Sequence, residues 1–341
     1  MGQCMTEAVD KLLERGELPE KELVDLLRFR NSETTEYLVE RAAAVGQRHY
    51  KQNIRIWGRI PITSYCKNDC HYCGLRRSNR FAPRFRLAEP EVLQYCKEGY
   101  SHGIRHFLLE GGTDLSYSED DIAHIIGGIR RRFHDVEIIL ALGEHTDAAY
   151  RHWMAAGAGT YLMPQDSVDD LQFKRIHSAN MSLLRRKQHM WSLQNLGYQV
   201  GAGFLVGVPY QNIEQVAQEL LFLKQFGSQI ITVAPFLPAQ HTPFERERSG
   251  NVGMVLYLIS ILRLMMPKGW IVADLSMEEA QADGRIQALS AGANVVVMDL
   301  TEKQIRMKYQ VYNDRPGRRE KDEHLLVSQI RAAGYQVNKE L

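Results

Sequence analysis

Charge of one sign and long apolar runs are both lacking in this chain of 341 residues. Lys and Arg total 42 against 41 Asp and Glu, so no overall field attracts nucleic acid or an anionic membrane. No stretch approaches the roughly 18–20 apolar residues that a membrane span requires, and the N-terminus lacks the basic, apolar and small-residue order of a signal peptide. We therefore expect a cytoplasmic protein that binds neither nucleic acid nor membrane.

Cysteine is also scarce. Five cysteines in a chain of this length are too few for a disulfide scaffold, and an odd number does not pair completely. Three of them, Cys66, Cys70 and Cys73, nevertheless lie within eight residues. In a reducing compartment such a group more often binds metal than forms disulfides.

The pattern of apolar residues predicts an α/β fold. Residues 5–50 have helical apolar spacing throughout, which predicts an N-terminal helical cap over residues 1–50. From Ile54 onward, short β-branched runs alternate with helical stretches, as in βαβ units. Eight such runs predict a (β/α)8 TIM-type barrel over residues 51–300, although an open doubly wound sheet has the same alternation. Residues 301–341 are predicted to form a loop and a terminal helix, with no clear ninth strand.

The eight predicted strands are Ile54–Thr63, Ile104–Leu109, Glu137–Leu142, Thr160–Met163, Gln199–Val206, Gln229–Ala234, Trp270–Asp274 and Asn294–Met298. The predicted helices between them include Glu89–Tyr100, Asp120–Phe133, Asp147–Ala156, Leu183–Leu196, Ile213–Phe226 and Val252–Met265.

The cysteine group has the spacing C-x3-C-x2-C and directly follows the first predicted strand. Thiolates are the ligands of iron–sulfur clusters, and a four-iron cluster normally takes four of them. Three ligands leave one iron open, which is the property of a catalytic metal site. A structural zinc site is the alternative, but it needs a fourth ligand. His71 lies between two of the cysteines and is expected to be a loop side chain, and Cys96 is expected to be a buried thiol of a helix.

This loop, with Tyr72 just before its last cysteine, resembles that of the radical S-adenosylmethionine (SAM) superfamily. The resemblance implies a [4Fe-4S] cluster on the three cysteines and SAM chelated to the open iron. Reductive cleavage of SAM would then give a 5'-deoxyadenosyl radical. A closed barrel suits this chemistry because it keeps water from a radical.

Within the superfamily the chain is most similar to the HydE family of [FeFe]-hydrogenase maturases and less closely to the methylornithine synthases (PylB) and biotin synthases. The stretches that carry the similarity are Cys70–Arg77, Leu142–Glu144, Gly201–Pro209, Pro235–Pro238 and Thr242–Pro243. It implies a step in hydrogenase maturation or a reaction of a related small substrate, with an amino-acid mutase as the alternative. Its implied partners are reduced flavodoxin or ferredoxin and other maturation proteins.

The resemblance also implies which residues bind SAM, and they follow strands, where barrel enzymes place their chemistry. The candidates are Tyr72, Glu110, Gly111, Gly112, Thr113, Glu144, Gly203, Val206 and Phe236. Without the cysteine loop, ordinary turn chemistry would account for the glycines. Candidates for the cavity wall are Asp166, Asp274, Ser276, Met277 and Asp299. Arg84 and Arg86 are expected to be solvated or to neutralise charge near the cluster.

Three departures from the HydE pattern are present. Thr113 stands where an acid is usual, which leaves Glu110 or Asp114 to replace it. Pro164-Gln165-Asp166 stands in place of Arg-His-Glu, which predicts that a cation near the site is missing. The C-terminal cysteines of a second cluster are absent. A non-catalytic iron–sulfur carrier is the alternative from another class of protein, since three cysteines suffice to hold a labile cluster.

Overall fold

The computed structural model describes residues 2–313 and 323–338, with side chains described from residue 5 and, in the second range, from residue 325. The strands are β1 (Asn53–Thr63), β2 (His106–Gly111), β3 (Glu137–Ala141), β4 (Thr160–Leu162), β5 (Gln199–Val206), β6 (Ile230–Pro235), β7 (Trp270–Ala273), β8 (Val295–Asp299) and β9 (Gln336–Val337).

The helices are α1 (Gly2–Arg15), α2 (Glu20–Arg28), α3 (Ser32–Tyr50), α4 (Glu89–Ser101), α5 (Glu119–Arg132), α6 (Asp147–Ala156), α7 (Asp170–Ile176), α8 (Leu183–Asn195), α9 (Ile213–Phe226), α10 (Val252–Met265), α11 (Leu275–Ala280), α12 (Gly284–Ser290), α13 (Lys303–Lys308) and α14 (Glu323–Ala332). None of them, within the ranges described, combines the length and apolar composition of a membrane span.

The first eight strands form a closed parallel barrel. Each pairs with the next in the chain, and β1 pairs with both β2 and β8. The (β/α)8 prediction is thus confirmed, and the open doubly wound sheet is excluded. All eight predicted strands are present, with ends that differ by no more than two residues.

Two apolar layers lie on the two faces of this barrel. The outer layer packs the strands against the helices and forms the main core. The inner layer consists of strand residues, such as Trp57, Leu108 and Ile139, which pack together inside the barrel and form the floor of its lumen. β5 contributes Gly201 to it, because a Cβ there would lie 2.3 Å from Leu162 Cδ2. The floor of the lumen is therefore packed, and the polar ends of the strands lie above it.

The N-terminal segment is not the continuous helix that its apolar spacing predicts. Gly16 has a positive φ of 69° and ends α1, and Pro19 precedes α2. Asn31 caps α3 by accepting a hydrogen bond from the Thr34 backbone N–H at 2.9 Å. Gly and Pro interrupt a helix because of their backbone requirements, whatever the apolar pattern around them. That residues 1–50 form a cap distinct from the barrel remains a prediction.

The C-terminal prediction needs one correction. The tail adds a ninth strand, since β9 pairs in parallel with the start of β1 through Asn53 and Ile54. Two residues are too short to give an alternating pattern, so the sequence carries no signal for this strand. The predicted terminal helix is present as α14, while the basic stretch 315–321 lies outside the described residues.

Candidate active site at the carboxyl ends of the strands

The cysteine loop, residues 65–77, follows β1 and has no regular secondary structure. Asp69 fixes its shape, accepting hydrogen bonds from the Ser78 backbone N–H at 2.8 Å and from Arg77 Nη2 at 3.1 Å. The Arg77 N–H in turn donates to the Asn68 carbonyl at 2.8 Å. A loop tied to itself in this way holds its three thiols in place before any ligand binds.

Arg84 binds the same loop from outside and is not simply solvated. Its guanidinium donates to the carbonyls of Leu75, Arg76 and Asn79 at 2.8–3.1 Å and also to that of Ser64. Arg86 has a different task, because it pairs with Asp114 at 2.6 Å and lies 3.8 Å from the centre of the Tyr65 ring. Both arginines therefore hold the loop in position.

The three thiols are free and half-buried. Burial raises the pKa of all three, and the neighbouring Cys66 adds to the effect on Cys73, whose pKa reaches about 12. Thiols so close in a poorly solvated place lose their protons together only if a cation compensates the charge. Among residues 2–313 and 323–338, no three Cys, His, Asp or Glu converge on one point that would hold a single metal ion. These residues therefore do not form the four-ligand site that a structural zinc ion needs. A four-iron cluster differs, because each thiolate binds a different iron.

The residues after β2 pack directly against this loop. A Cβ on Gly112 would lie 2.3 Å from the Tyr65 carbonyl oxygen and 2.5 Å from Cys66 Cβ. The Thr113 carbonyl accepts a hydrogen bond from the Lys67 N–H at 2.9 Å. The close approach that the glycine permits is therefore that of the cysteine loop itself. Of the two acids considered as replacements, Asp114 is bonded to Thr63 and Arg86, and Glu110 lies beside Arg59.

A buried arginine from α8 occupies the end of β4. Arg186 Nε donates to Glu144 Oε1 at 2.7 Å, its Nη1 lies 3.6 Å from Asp166 Oδ2, and it donates to the Pro164 carbonyl. Burial opposes its charge, but Asp166 and Glu144 outweigh that effect and raise the pKa of Arg186. The expectation that Pro164-Gln165-Asp166 leaves the site without a cation is wrong. A cation is supplied instead by α8, the second helix after β4.

Asp166 connects this group to the cysteine loop. Its Oδ2 accepts a hydrogen bond from Tyr72 Oη at 3.0 Å and lies 3.1 Å from His177 Nε2. Burial alone would raise the pKa of Asp166, but the hydrogen bond from His177 and the charge of Arg186 hold it below its usual value. Its backbone is left-handed, with φ of 61°, a conformation in which non-glycine residues are uncommon and often functional.

The remaining predicted SAM-binding residues are Gly203 and Val206 in β5 and Phe236 directly after β6. A Cβ on Gly203 would lie 1.8 Å from the Thr232 carbonyl oxygen, so no other residue fits there without moving β6. Val206 and Phe236 are buried, and the Phe236 N–H donates to the Val206 carbonyl at 2.9 Å. Phe236 packs near Tyr72 in one small apolar cluster. These residues thus form one wall beside the cysteine loop.

Charged side chains line the lumen above its apolar floor. Arg59 donates to Asp299 Oδ2 at 2.7 Å and lies 3.7 Å from Glu110 Oε2. Burial raises the pKa of Glu110, against the effect of Arg59. Asp274 accepts a hydrogen bond from the Ser276 N–H at 2.8 Å. Within the described residues, the side-chain atoms Arg59 Nε, Ser276 Oγ and Arg285 Nε are buried without a hydrogen-bond partner.

Of the five candidates for the cavity wall, Asp299 takes part in this group through Arg59, and Asp166 belongs instead to the group beside Tyr72. Met277 is buried in the outer core, although its position in the chain predicts a place in the cavity wall.

The chain after α13 covers the cysteine loop. The Gly74 N–H donates to the Val311 carbonyl at 2.8 Å, and a Cβ on Gly74 would lie 2.0 Å from the Gln310 carbonyl oxygen. Asn313 binds the loop after β6, where its side chain accepts a hydrogen bond from the Gln240 N–H at 2.7 Å. We call residues 309–313 the cover segment. Sequence reasoning missed it, because it has neither helical nor strand periodicity.

The comparisons with known proteins agree with this arrangement. Residues 60–223 match the model of the radical SAM superfamily. HydE, the [FeFe] hydrogenase maturase subunit of Thermotoga maritima, is 29% identical over 300 residues, which cover 88% of this chain and 85% of that protein. The 3-methylornithine synthase of Methanosarcina acetivorans is 27% identical over 289 residues, covering 84% and 81%.

The crystal structure of methylornithine synthase (PylB) superposes with a TM-score of 0.86 at 25% identity, over 97% of each chain. The (β/α)8 architecture and the helices around it are thus shared along almost the whole length of both proteins.

Proposed function

We propose that this chain, whose residues 60–223 match the radical SAM superfamily, is a HydE-like enzyme of that superfamily that converts a small substrate inside its barrel, in a step of [FeFe]-hydrogenase maturation. The observation that carries the proposal is the position of the three thiols at the barrel mouth, beside the buried Arg186–Glu144–Asp166 group. Enzymes of this superfamily use a [4Fe-4S] cluster and SAM, which together supply a 5'-deoxyadenosyl radical when both are bound.

We assign Cys66, Cys70 and Cys73 as the cluster ligands. They fit the group because they are free, because neighbouring thiols raise the pKa values of Cys70 and Cys73, and because Asp69 and Arg84 hold their loop in place. Cys96 does not belong to the set, since it is fully buried in α4. The side chains that the structure describes thus provide three thiolates and no fourth, which leaves one iron open to another ligand.

We assign the SAM site to the wall between the cysteine loop and β6. Arg186 offers a fixed positive fork, and Glu144 and Asp166 offer carboxylate acceptors suited to hydroxyl or ammonium groups. Tyr72, Glu110, the turn Gly111–Thr113, Gly203, Val206 and Phe236 complete the site. In this assignment the glycines add no side chains to the wall of the site. Arg186 replaces the cation that the β4 loop lacks.

The lumen above the apolar floor is the proposed substrate site. Arg59, Glu110 and Asp299 lie there as one charged group, and the unpaired Nε of Arg59 needs an acceptor. A small substrate with both acceptor and donor groups would satisfy them. We further propose that a reduced flavodoxin or ferredoxin supplies the electron, and that the protein works in the cytoplasm with other maturation proteins.

SAM cleavage tests the function directly. The protein would be reconstituted anaerobically with iron and sulfide, reduced with dithionite and given SAM, and 5'-deoxyadenosine would be quantified. We expect wild type and Cys96→Ala to form the product and Cys70→Ala to form none, because Cys70 is assigned to the cluster and Cys96 is not. A stable cluster in the wild type that never cleaves SAM would contradict the proposal and indicate an iron–sulfur carrier.

An amino-acid mutase of the methylornithine synthase type is the second candidate. The superposition on PylB over 97% of each chain favours it. If the wild type cleaves SAM, the two candidates separate by product: 3-methylornithine formed from a mixture of amino acids would support the mutase. Restoration of hydrogenase activity in a strain without its HydE would support the maturase.

A further inference from the structure

A buried carboxylate on the outside of the barrel is not explained by the site described so far. Glu219 belongs to α9, is 1% exposed, and lies on the face that packs against the strands. Its Oε1 accepts the Val168 N–H at 2.6 Å, and its Oε2 accepts Gln165 Nε2 at 2.9 Å. Both partners belong to the loop after β4, one on each side of Asp166.

Gln165 carries this contact on to β5. Its Oε1 accepts the Gly203 N–H at 2.9 Å, and Gln165 itself is fully buried. The regular pairing of β4 with β5 ends at Leu162 and Gly201, so the ladder gives the Gly203 N–H no carbonyl acceptor. The amide of Gln165 thus satisfies a backbone group that the ladder leaves open, and Glu219 fixes the orientation of that amide.

The turn at Asp166 is therefore held by Glu219 of α9 and by the backbone of Gly203 in β5. Glu219 binds the residues on both sides of it, and the Asp166 N–H donates to the Gly203 carbonyl at 3.1 Å. The left-handed backbone of Asp166 costs energy and persists only where its surroundings impose it. In this conformation the carboxylate reaches Tyr72 and lies beside Arg186.

We propose that Glu219 is a positioning residue of the SAM site, which it controls through Gln165 and the turn at Asp166. The inference rests on the proposed function, because it assumes that Asp166 and Arg186 belong to the SAM site. Simple packing does not explain the residue. Burial raises the pKa of Glu219 to about 7, so its charge is costly there, and an apolar side chain would pack on the strands without that cost.

An exchange of the two side chains tests this. In Glu219→Gln one N–H of the loop loses its acceptor, and in Gln165→Glu two carboxylates face each other. In the double variant, Gln at 219 can accept from Val168 and donate to Glu at 165, which still accepts the Gly203 N–H. All three hydrogen bonds return with the polarity of the pair reversed. Glu137→Gln is the control, because Glu137 is a half-buried carboxylate bonded to Thr160 at the opposite end of the barrel.

Two readouts are expected to move together. In the purified chain, hydrogen–deuterium exchange of the peptide 163–169 becomes faster in each single variant and returns to the wild-type rate in the double variant. In the reconstituted enzyme, each single variant binds SAM about tenfold more weakly, since a buried donor is left unpaired. The rate at saturating SAM changes less than about twofold, and the double variant recovers most of the affinity.

The failures are distinguishable. If wild type neither binds nor cleaves SAM, the proposed function fails, while the exchange measurement still reports on the turn. If wild type cleaves SAM and the single variants bind it as tightly as Glu137→Gln does, Glu219 has no positioning role. Loss of affinity in the double variant equal to the sum of the single losses would also overturn the inference, because the effect would not run through the Gln165 pair.

Discussion

Two charged residues inside apolar helix stripes determine the structure of the candidate site. Arg186 shares its face of α8 with Leu183, Met190 and Leu193, all buried, and Glu219 occupies the equivalent place on α9. Charged groups are rarely buried without a partner. A charge at an apolar position of a predicted helix is therefore a signal that the sequence contains, although both residues lie outside the loops after strands, where barrel enzymes place their chemistry.

At this scale Arg186 provides the first prediction. Arg186→Lys keeps the charge but cannot contact the Glu144 carboxylate, the Pro164 carbonyl and the Asp166 carboxylate at the same time. An ammonium group lacks the planar arrangement of N–H donors of a guanidinium. We expect kcat/KM for SAM to fall about 10- to 100-fold, the effect of losing a charge-assisted hydrogen bond.

Arg185→Lys is the matched control, since Arg185 is the exposed neighbour in the same helix. The measurement is 5'-deoxyadenosine formation over a range of SAM concentrations. Equal kinetics of the two variants would remove Arg186 from the SAM site.

At the scale of elements, the barrel could be predicted almost completely and its mouth could not. Eight strands have short β-branched runs because they are buried on both sides, and such runs are visible in a sequence. The cysteine loop was predicted from ligand spacing. The cover segment and β9 had no such signal, because their positions depend on backbone hydrogen bonds to residues that are distant in the chain, such as Gly74 for Val311.

The contact between Gly74 and the cover segment gives an element-scale prediction. In Gly74→Ala the new methyl group meets the Gln310 carbonyl, and such overpacking costs about 1–3 kcal/mol. We expect a lower melting temperature and faster loss of the reconstituted cluster to a chelator, followed by its visible absorption.

Gly46→Ala is the comparison for this variant. Gly46 is in α3 and has no neighbour within 4 Å of a new Cβ, so the same substitution is expected to stabilise the helix by about 0.5–1 kcal/mol. If both variants lost the cluster at the wild-type rate, the cover segment would have no part in retaining it.

At the scale of the whole molecule, the N-terminal helices and the barrel share one core. α10 is buried on nearly all sides, with twelve of its fourteen residues buried, whereas an outer barrel helix ordinarily exposes one face. α1 to α3 contribute Leu12, Leu26 and Leu38 to the same core cluster. The sequence shows the apolar composition of α10 and does not show which segment covers it.

This shared core predicts cooperative unfolding. Leu38→Ala is expected to lower the free energy of unfolding by about 2–5 kcal/mol and to shift a single transition followed by circular dichroism and by tryptophan fluorescence. Leu184→Ala, at a position that is 68% exposed, is expected to have little effect. An early separate transition, shifted alone by Leu38→Ala, would show instead that residues 1–50 form an independent domain.

The cover segment also has a consequence for biosynthesis. The thiols at positions 66–73 leave the ribosome long before Val311, whose carbonyl binds Gly74. At a synthesis rate of about 5–20 residues per second, roughly 10 to 50 seconds pass between the synthesis of the three cysteines and that of the cover segment. During translation they are therefore open to oxidants and to scavenging metals, and iron and sulfide delivered after chain release meet a loop that is already half enclosed.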